Sequence, residues 1–162
     1  VVNLVFAGLG GQGVLRASDI AADAALRSGY DVKKSEIHGM SQRGGFVTSD
    51  VRFGGEVLSP MVPPGEADCL VVLAADQMEA ARPMLRSGGA LILPDSVDAA
   101  ALSDKRSLNV ALLGVLSAHL DIPEADWLDA VRANLPPRVH EANLTAFQLG
   151  RAAGAALHGS RS

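Results

Sequence analysis

The sequence predicts one α/β domain built on a mixed, mainly parallel sheet with an antiparallel hairpin and flanking helices. Three observations predict it. An apolar run, Val1 to Ala7, meets a glycine-rich turn and then a helical stretch, Val14 to Arg27. Two alternating segments, Phe46 to Phe53 and Glu56 to Val62, meet at Gly54-Gly55. Leu112, Leu113, Leu116 and Leu120 recur at helical spacing. At 162 residues and 48% hydrophobic, the chain is long and apolar enough to bury a core as a single domain, residues 1–162.

Val1 to Ala7 reads as a buried strand, Gly8 to Gly13 as the turn, and Val14 to Arg27 as a helix closed by Gly29 as its C-cap residue. Asp31 to Ile37 reads as a second strand, so the chain opens with a β–turn–α–β unit whose two strands run parallel. His38 to Gly45 is polar and glycine-rich and reads as an ordered loop. The alternating pair around Gly54-Gly55 follows as the antiparallel hairpin. Cys69 to Leu73 is the next strand, Asp76 to Leu85 a helix despite Pro83, and Ala90 to Leu93 another strand. Pro94 to Ser107 is a long loop with a small helical piece. Helices are expected from about Asn109 to Leu120, from Pro123 to Pro136, and from about Glu141 onward. In the last of these, Phe147, Gly150, Gly154 and Leu157 share one stripe whose glycines admit a second helix backbone.

The formal net charge of -4 offers no diffuse attraction to nucleic-acid phosphate or anionic lipid, so neither is an expected partner. No apolar stretch reaches the ~18 residues of a spanning helix, and Val1 to Ala7 lacks the basic start of a signal peptide. The expectation is a soluble, cytoplasmic protein. Cys69 is the single cysteine, which rules out an internal disulfide and the usual cluster of about four thiolates around iron and sulfur. The four histidines, His38, His119, His140 and His158, are scattered, and no metal-ligating pair is expected.

Gly8, Gly10 and Gly13 satisfy G-x-G-x-x-G between a strand and a helix, as in a Rossmann-like sheet. With Gly11, they expose backbone N–H groups at a helix N-terminus, a geometry suited to an anion, and Gln12 adds a side-chain donor. The bland alternative is that the glycines only permit the turn. A dinucleotide site also wants an acid about 20 residues on for the ribose; that region holds Lys33 and Lys34, with Glu36 the nearest acid.

The second loop, Glu36-Ile37-His38-Gly39-Met40-Ser41-Gln42-Arg43-Gly44-Gly45, is the more specific signal. Arg43, followed by Gly44, suits a forked contact to a carboxylate or phosphate. His38 either titrates near neutrality or simply hydrogen-bonds as a structural residue. Ser41 lies three residues from it without an orienting acid, so no nucleophilic catalyst is expected.

Together, GLGGQGV at Gly8 to Val14, EIHGMSQRGG at Glu36 to Gly45, SDVRFGGEVLSPMV at Ser49 to Val62 and EADCLVVL at Glu66 to Leu73 resemble the gamma domain of pyruvate and ketoisovalerate oxidoreductases. The HGMSQRGG form is most similar to the small (beta) subunit of the indolepyruvate ferredoxin branch, and the resemblance covers essentially the whole chain. It implies a non-catalytic subunit of an oligomeric complex. A large partner subunit would carry thiamine diphosphate, Mg and iron–sulfur clusters, decarboxylate an aryl 2-oxoacid to an acyl-CoA, and pass electrons to ferredoxin. The chain itself is expected to hold none of these cofactors, since it lacks cluster cysteines and a Gly-Asp-Gly diphosphate signature. The resemblance assigns a coenzyme A contact to Gly8, Gly10, Gly11, Gln12 and Gly13 and to Arg43, with His38, Gln42 and Gly44 beside it. One departure is a compressed segment between Pro94 and Asn109, the mark of a divergent or stand-alone member.

Two other functions compete. A free-standing NAD(P)- or flavin-binding oxidoreductase rests on the glycine loop alone. A purely structural interaction module would use the Phe147 to Leu157 stripe as its partner surface.

Overall fold

The computed structural model describes residues 1–38 and 45–159. Its centre is a five-stranded sheet in the order β2-β3-β1-β4-β5. The strands are β1 (Val2–Leu9), β2 (Asp31–His38), β3 (Phe46–Gly54), β4 (Ala67–Val72) and β5 (Leu85–Ile92). β1 pairs parallel with β4, and β4 with β5, whereas β3 runs antiparallel to both β1 and β2. All strands but β3 therefore share one direction.

β1 is apolar at every residue from Leu4 to Ala7 because both faces of the sheet are covered there. Leu4 and Phe6 enter the core under the main helices; Val5 and Ala7 enter a smaller core with Val62, Leu70, Val72 and Ala81 on the opposite face. Helix α1 (Val14–Arg27) lies on β1, β2 and β3 through Ala17, Ile20, Ala21, Ala24 and Ala25. It ends in a Schellman arrangement: the Gly29 N–H donates to Leu26 O at 3.0 Å and the Tyr30 N–H to Ala25 O at 3.2 Å. Gly29 is at φ 92, so only glycine closes that turn without strain.

The opening β1–α1–β2 unit is present and its strands run the same way, but they are not neighbours, because β3 lies between them. The hairpin is also redistributed. β3 is the expected strand, yet its hairpin partner is the preceding β2, with Lys34 opposite Val51 and Asp31 opposite Gly54. The second arm expected at Glu56 to Val62 is not a strand. Its backbone donors are taken by carboxylates: the Val57 N–H donates to Asp31 Oδ2 at 2.8 Å and the Val62 N–H to Asp50 Oδ2 at 2.9 Å. The Arg52 guanidinium donates to Ser59 O at 2.9 Å, and Pro60 adds no donor. The segment is a strap, pinned at both ends with Val57 and Val62 buried.

Asp50 is 3% exposed, and burial raises its carboxyl above the usual value against the opposing pull of the Val62 N–H and Arg52. A carboxyl raised by folding costs stability when ionised, so this contribution weakens as pH rises from the unfolded value, about 3.9, through the folded one. Asp50→Asn, which keeps an acceptor for Val62, is expected to hold the urea midpoint at neutral pH. Asp50→Ala orphans the buried N–H and is expected to cost about 1–3 kcal/mol. Equal losses in the two variants would contradict the pinning role.

The helix expected over Asp76 to Leu85 is broken into a short helix α2 (Met78–Ala81) between two single 3₁₀ turns, because Pro83 cannot donate within it. β5 accordingly begins earlier than expected. Its ladder to β4 skips from Ala67–Leu85 to Cys69–Ala90, with Gly88 at φ 77 in the excluded bend. Three 3₁₀ turns fill residues 94–107.

Helices α3 (Leu108–Ser117), α4 (Glu124–Asn134) and α5 (His140–Gly159) complete the layer. α3 contacts β4 and β5, α4 packs on α1, and α5 packs on α3. Gly114, Gly150 and Gly154 form the α3–α5 crossing. A Cβ on Gly154 would lie 2.8 Å from Val115 O, and Cβ atoms on Gly150 and Gly114 would collide with the Ala111 and Phe147 carbonyls. The stripe on the last helix is thus filled from within the chain by α3, and Leu157 at its end remains 46% exposed. Trp127 and Phe147 meet at 5.7 Å between ring centroids in the buried centre. Among the described residues no helix is long and apolar enough to cross a membrane.

Cys69 is 3% exposed on β4, and burial, helped by neighbouring Asp68, pushes its thiol up to about 12. Thiolate is the reactive form, so Cys69 is expected to resist a thiol reagent at mildly alkaline pH until urea unfolds the chain. Stoichiometric labelling of the native protein would contradict this burial.

Candidate functional site

The glycine loop sits where β1 passes into α1, at the C-terminal edge of the sheet. Each glycine has a different task. Gly8 is buried, and a Cβ there would lie 2.9 Å from both Gln12 Oε1 and Val14 Cγ2. Gly11 and Gly13 adopt φ 87 and φ 84, which L side chains rarely reach. The Gly10 N–H donates to Gly45 O at 2.9 Å, which ties the end of the second loop to the first.

Gln12 folds back onto its own loop. Its Oε1 accepts the Leu9 N–H at 2.7 Å, closing the loop on itself. The oxygen is therefore a brace of the loop, on a residue that is itself exposed. The first helical bond of α1 runs from the Ala17 N–H to Gly13 O at 2.9 Å, which leaves the Val14, Leu15 and Arg16 N–H groups ahead of the ladder. No acid occupies the first turn of α1. The partial positive charge of that terminus faces a cleft of about 460 Å³ lined by Gly10, Gly11, Gly13, Leu15, Arg16 and Asp19.

A second helix terminus converges on the same loop. Asn109, in the first turn of α3, is 8% exposed; its Nδ2 donates to Gly13 O at 3.2 Å and its Oδ1 accepts the Val110 N–H at 2.9 Å. A Cβ on Gly13 would lie 2.5 Å from that Nδ2. Gly13 and Asn109 thus line two further clefts, of about 330 and 320 Å³, into which Lys105, Arg106, Arg16 and Arg138 bring positive charge. Arg106 is held by both oxygens of Asp104, at 3.0 and 3.1 Å, which lowers the Asp104 carboxyl and raises the guanidinium. Arg16 donates to the Asn134 carbonyl at the end of α4.

Sequence reasoning passed over Asn109, Lys105, Arg106 and Arg138. Asn109 left a signal, a lone amide inside the apolar run of α3; the cations left none, since only the fold carries them to the loop. Of the expected site residues, Gly8, Gly10, Gly11, Gln12 and Gly13 are gathered here. His38 closes β2, whose backbone leads toward the loop, but its side chain, Gln42, Arg43 and Gly44 lie outside the described residues.

A larger cleft, about 610 Å³, opens at the opposite edge of the sheet between Tyr30, Phe53, Cys69, Arg86 and His119. Its polar groups are engaged in structure. Asp68 accepts the Arg86 guanidinium and the Asn3 N–H, both at 2.8 Å, and the Tyr30 hydroxyl donates to Asp121 O at 2.9 Å. Size alone gives it no chemistry, whereas the smaller clefts around Gly13 gather cations beside the start of α1.

β3 bears on the dinucleotide alternative. In a dinucleotide fold the ribose acid stands at the end of the strand beside β1. Here β3 occupies that place, and Glu36 on the outer β2 is bonded to Lys34.

Residues 3–153 match the family described as pyruvate ferredoxin/flavodoxin oxidoreductase. The chain belongs to this family. It is 35% identical to the indolepyruvate oxidoreductase subunit IorB of Thermococcus kodakarensis over 190 aligned positions, covering 91% of this chain and 93% of that one. Those aligned positions outnumber the 162 residues present, so the relative carries insertions that this oxidoreductase-family chain lacks. Among solved structures it is similar to a keto/oxoacid ferredoxin oxidoreductase gamma subunit from Geobacter sulfurreducens PCA, with TM-score 0.78, 26% identity, and coverage of 96% of this chain and 99% of that one. The same fold forms part of the 2-oxoglutarate:ferredoxin oxidoreductase of Magnetococcus marinus, at TM-score 0.82 and 21% identity, matching 96% of this chain and 31% of that one.

Proposed function

We infer that this chain is the small subunit of an indolepyruvate-type 2-oxoacid:ferredoxin oxidoreductase, and that the clefts around Gly13 contribute to its coenzyme A site. The subunit half is supported by the family match and by the relatives' names. The coenzyme half rests on one observation: the N-termini of α1 and α3 converge on Gly13 beside Arg16, Lys105, Arg106 and Arg138. Two helix termini and four cations favour a ligand with several phosphate charges.

The division of labour in this reading comes with the family match. Thiamine, Mg and iron–sulfur chemistry belongs to the large partner subunit, with ferredoxin as acceptor. This chain's groups bind and orient: Gln12 braces the loop, Asn109 fixes Gly13 against α3, and the cations attract phosphate.

The test is the double variant Lys105→Ala/Arg106→Ala in the complex reconstituted with the large subunit. Loss of charge-assisted phosphate contacts is expected to raise the KM for coenzyme A about tenfold, leaving the KM for the 2-oxoacid in place. Unchanged coenzyme A kinetics in an assembled complex would remove the clefts from the site.

A further inference from the structure

β2 is an open edge. It is eight residues long, contains no proline or bulge, and among the described residues pairs only with β3, in unbroken register from Asp31–Gly54 to His38–Val47. The other edge, β5, is interrupted by the bend at Arg86 to Gly89 and offers no comparable ladder. Long regular edges template pairing with another strand unless charge opposes it. The charges on β2 have an order that decides which pairing they oppose.

Lys34 and Glu36 point to the α1 face, where the Lys34 ammonium contacts Asp19 at 2.7 Å and is also bonded to Glu36. In a two-fold antiparallel pair of identical strands, residues facing each other lie on the same face, so some residue must sit on the axis opposite itself. An axis at Lys34 places two lysines face to face, and an axis at Glu36 two glutamates. An axis at Lys33 repeats the first clash. Of the axes that pair five or more residues of β2, only the one at Ser35 avoids like charges, and it sets Lys34 of each copy opposite Glu36 of the other, twice over. That register uses Val32 to His38 and leaves out Asp31, whose carboxylate already holds the strap.

The geometry points to a second copy of this chain as the occupant of this edge: two copies join β2 to β2 about Ser35, forming one continuous sheet held by reciprocal Lys34–Glu36 pairs. A single-register edge is what a specific contact requires, because strands with weakly specified register slip.

The experiment is sedimentation equilibrium of the full chain across the micromolar range, with variants Lys34→Glu and Glu36→Lys. The wild type is expected to dimerise more weakly as salt rises. Each single variant faces itself with like charges and is expected to raise the dimer Kd about tenfold or more. An equimolar mixture of the two restores both opposite pairs and is expected to dimerise like the wild type. Circular dichroism checks that each variant is folded. Should either fail to fold, amide exchange of the wild type decides: protection over Val32 to His38 must fall on dilution. A monomeric wild type, single variants that dimerise unchanged, a mixture no better than its components, or dilution-independent exchange would each overturn the proposal, the last two in favour of another surface or of a different subunit on this edge.

Discussion

Gly150→Ala is expected to lower the stability of the fold by about 1–3 kcal/mol, toward the upper limit of what one added methyl does to a packed core. The methyl lands on the Ala111 carbonyl of α3, which is backbone and has no rotamer to escape into. Relief requires moving the α3 and α5 axes apart, and that opens the contacts around Phe147 and Leu112, both fully buried. Gly114→Ala meets the Phe147 carbonyl from the other side of the same crossing. The two costs share one relaxation, so the double variant is expected to lose less than their sum. Gly55→Ala is the control: it lies in open space at the strap's start and is expected to be near neutral. Urea midpoints read all four, and additive losses would contradict a shared helix displacement.

Gly13→Val is expected to have the largest effect on function. Two costs coincide at this position. A β-branched residue is strained at φ 84, and its Cβ meets Asn109 Nδ2 at 2.5 Å. Displacing Asn109 breaks the hydrogen bond between the start of α3 and the start of α1, so the two helix termini no longer meet at one point. In the reconstituted complex, the KM for coenzyme A is expected to rise at least about tenfold while the KM for the 2-oxoacid holds, because the lost contacts concern phosphate binding. Gly29→Val separates site from stability. It carries the same strain at φ 92, with nothing within 4 Å of its Cβ and far from the clefts. It should lower the urea midpoint and leave coenzyme A kinetics unchanged. Equal KM changes in the two variants would mean that loosening the fold, and not the loop, explains the effect.

The parts of the molecule legible in the sequence are those set by local chemistry. An apolar run, a glycine turn and an alanine-rich amphipathic stretch place β1, the loop and α1 within a residue or two, and Gly29 marks the end of α1. The glycines of α5 announce a close helix contact, although only the fold names α3 as the partner. The misplaced hairpin arm shows where local signals stop. Gly54-Gly55 does end a strand, and Glu56 to Val62 does alternate, but Asp31 and Asp50 take its backbone donors from outside the segment. Nothing in the alternation reveals that competition. β3 likewise enters between β1 and β2 because an antiparallel pair with each is available to it, a choice that no periodicity records. At the candidate site, the glycines were readable from spacing. Asn109, Lys105, Arg106 and Arg138 come from other elements and gather near Gly13 only through the packing of α3 and the 3₁₀ turns that precede α3 and α5.

The most direct measurement is reduction of ferredoxin by the purified large subunit, with indolepyruvate and coenzyme A present, as this chain is titrated in. A supporting subunit predicts activity that rises with added chain, saturates at a fixed ratio, and requires coenzyme A throughout. Full activity of the large subunit without this chain, or NAD(P)-dependent turnover by this chain alone, would contradict it.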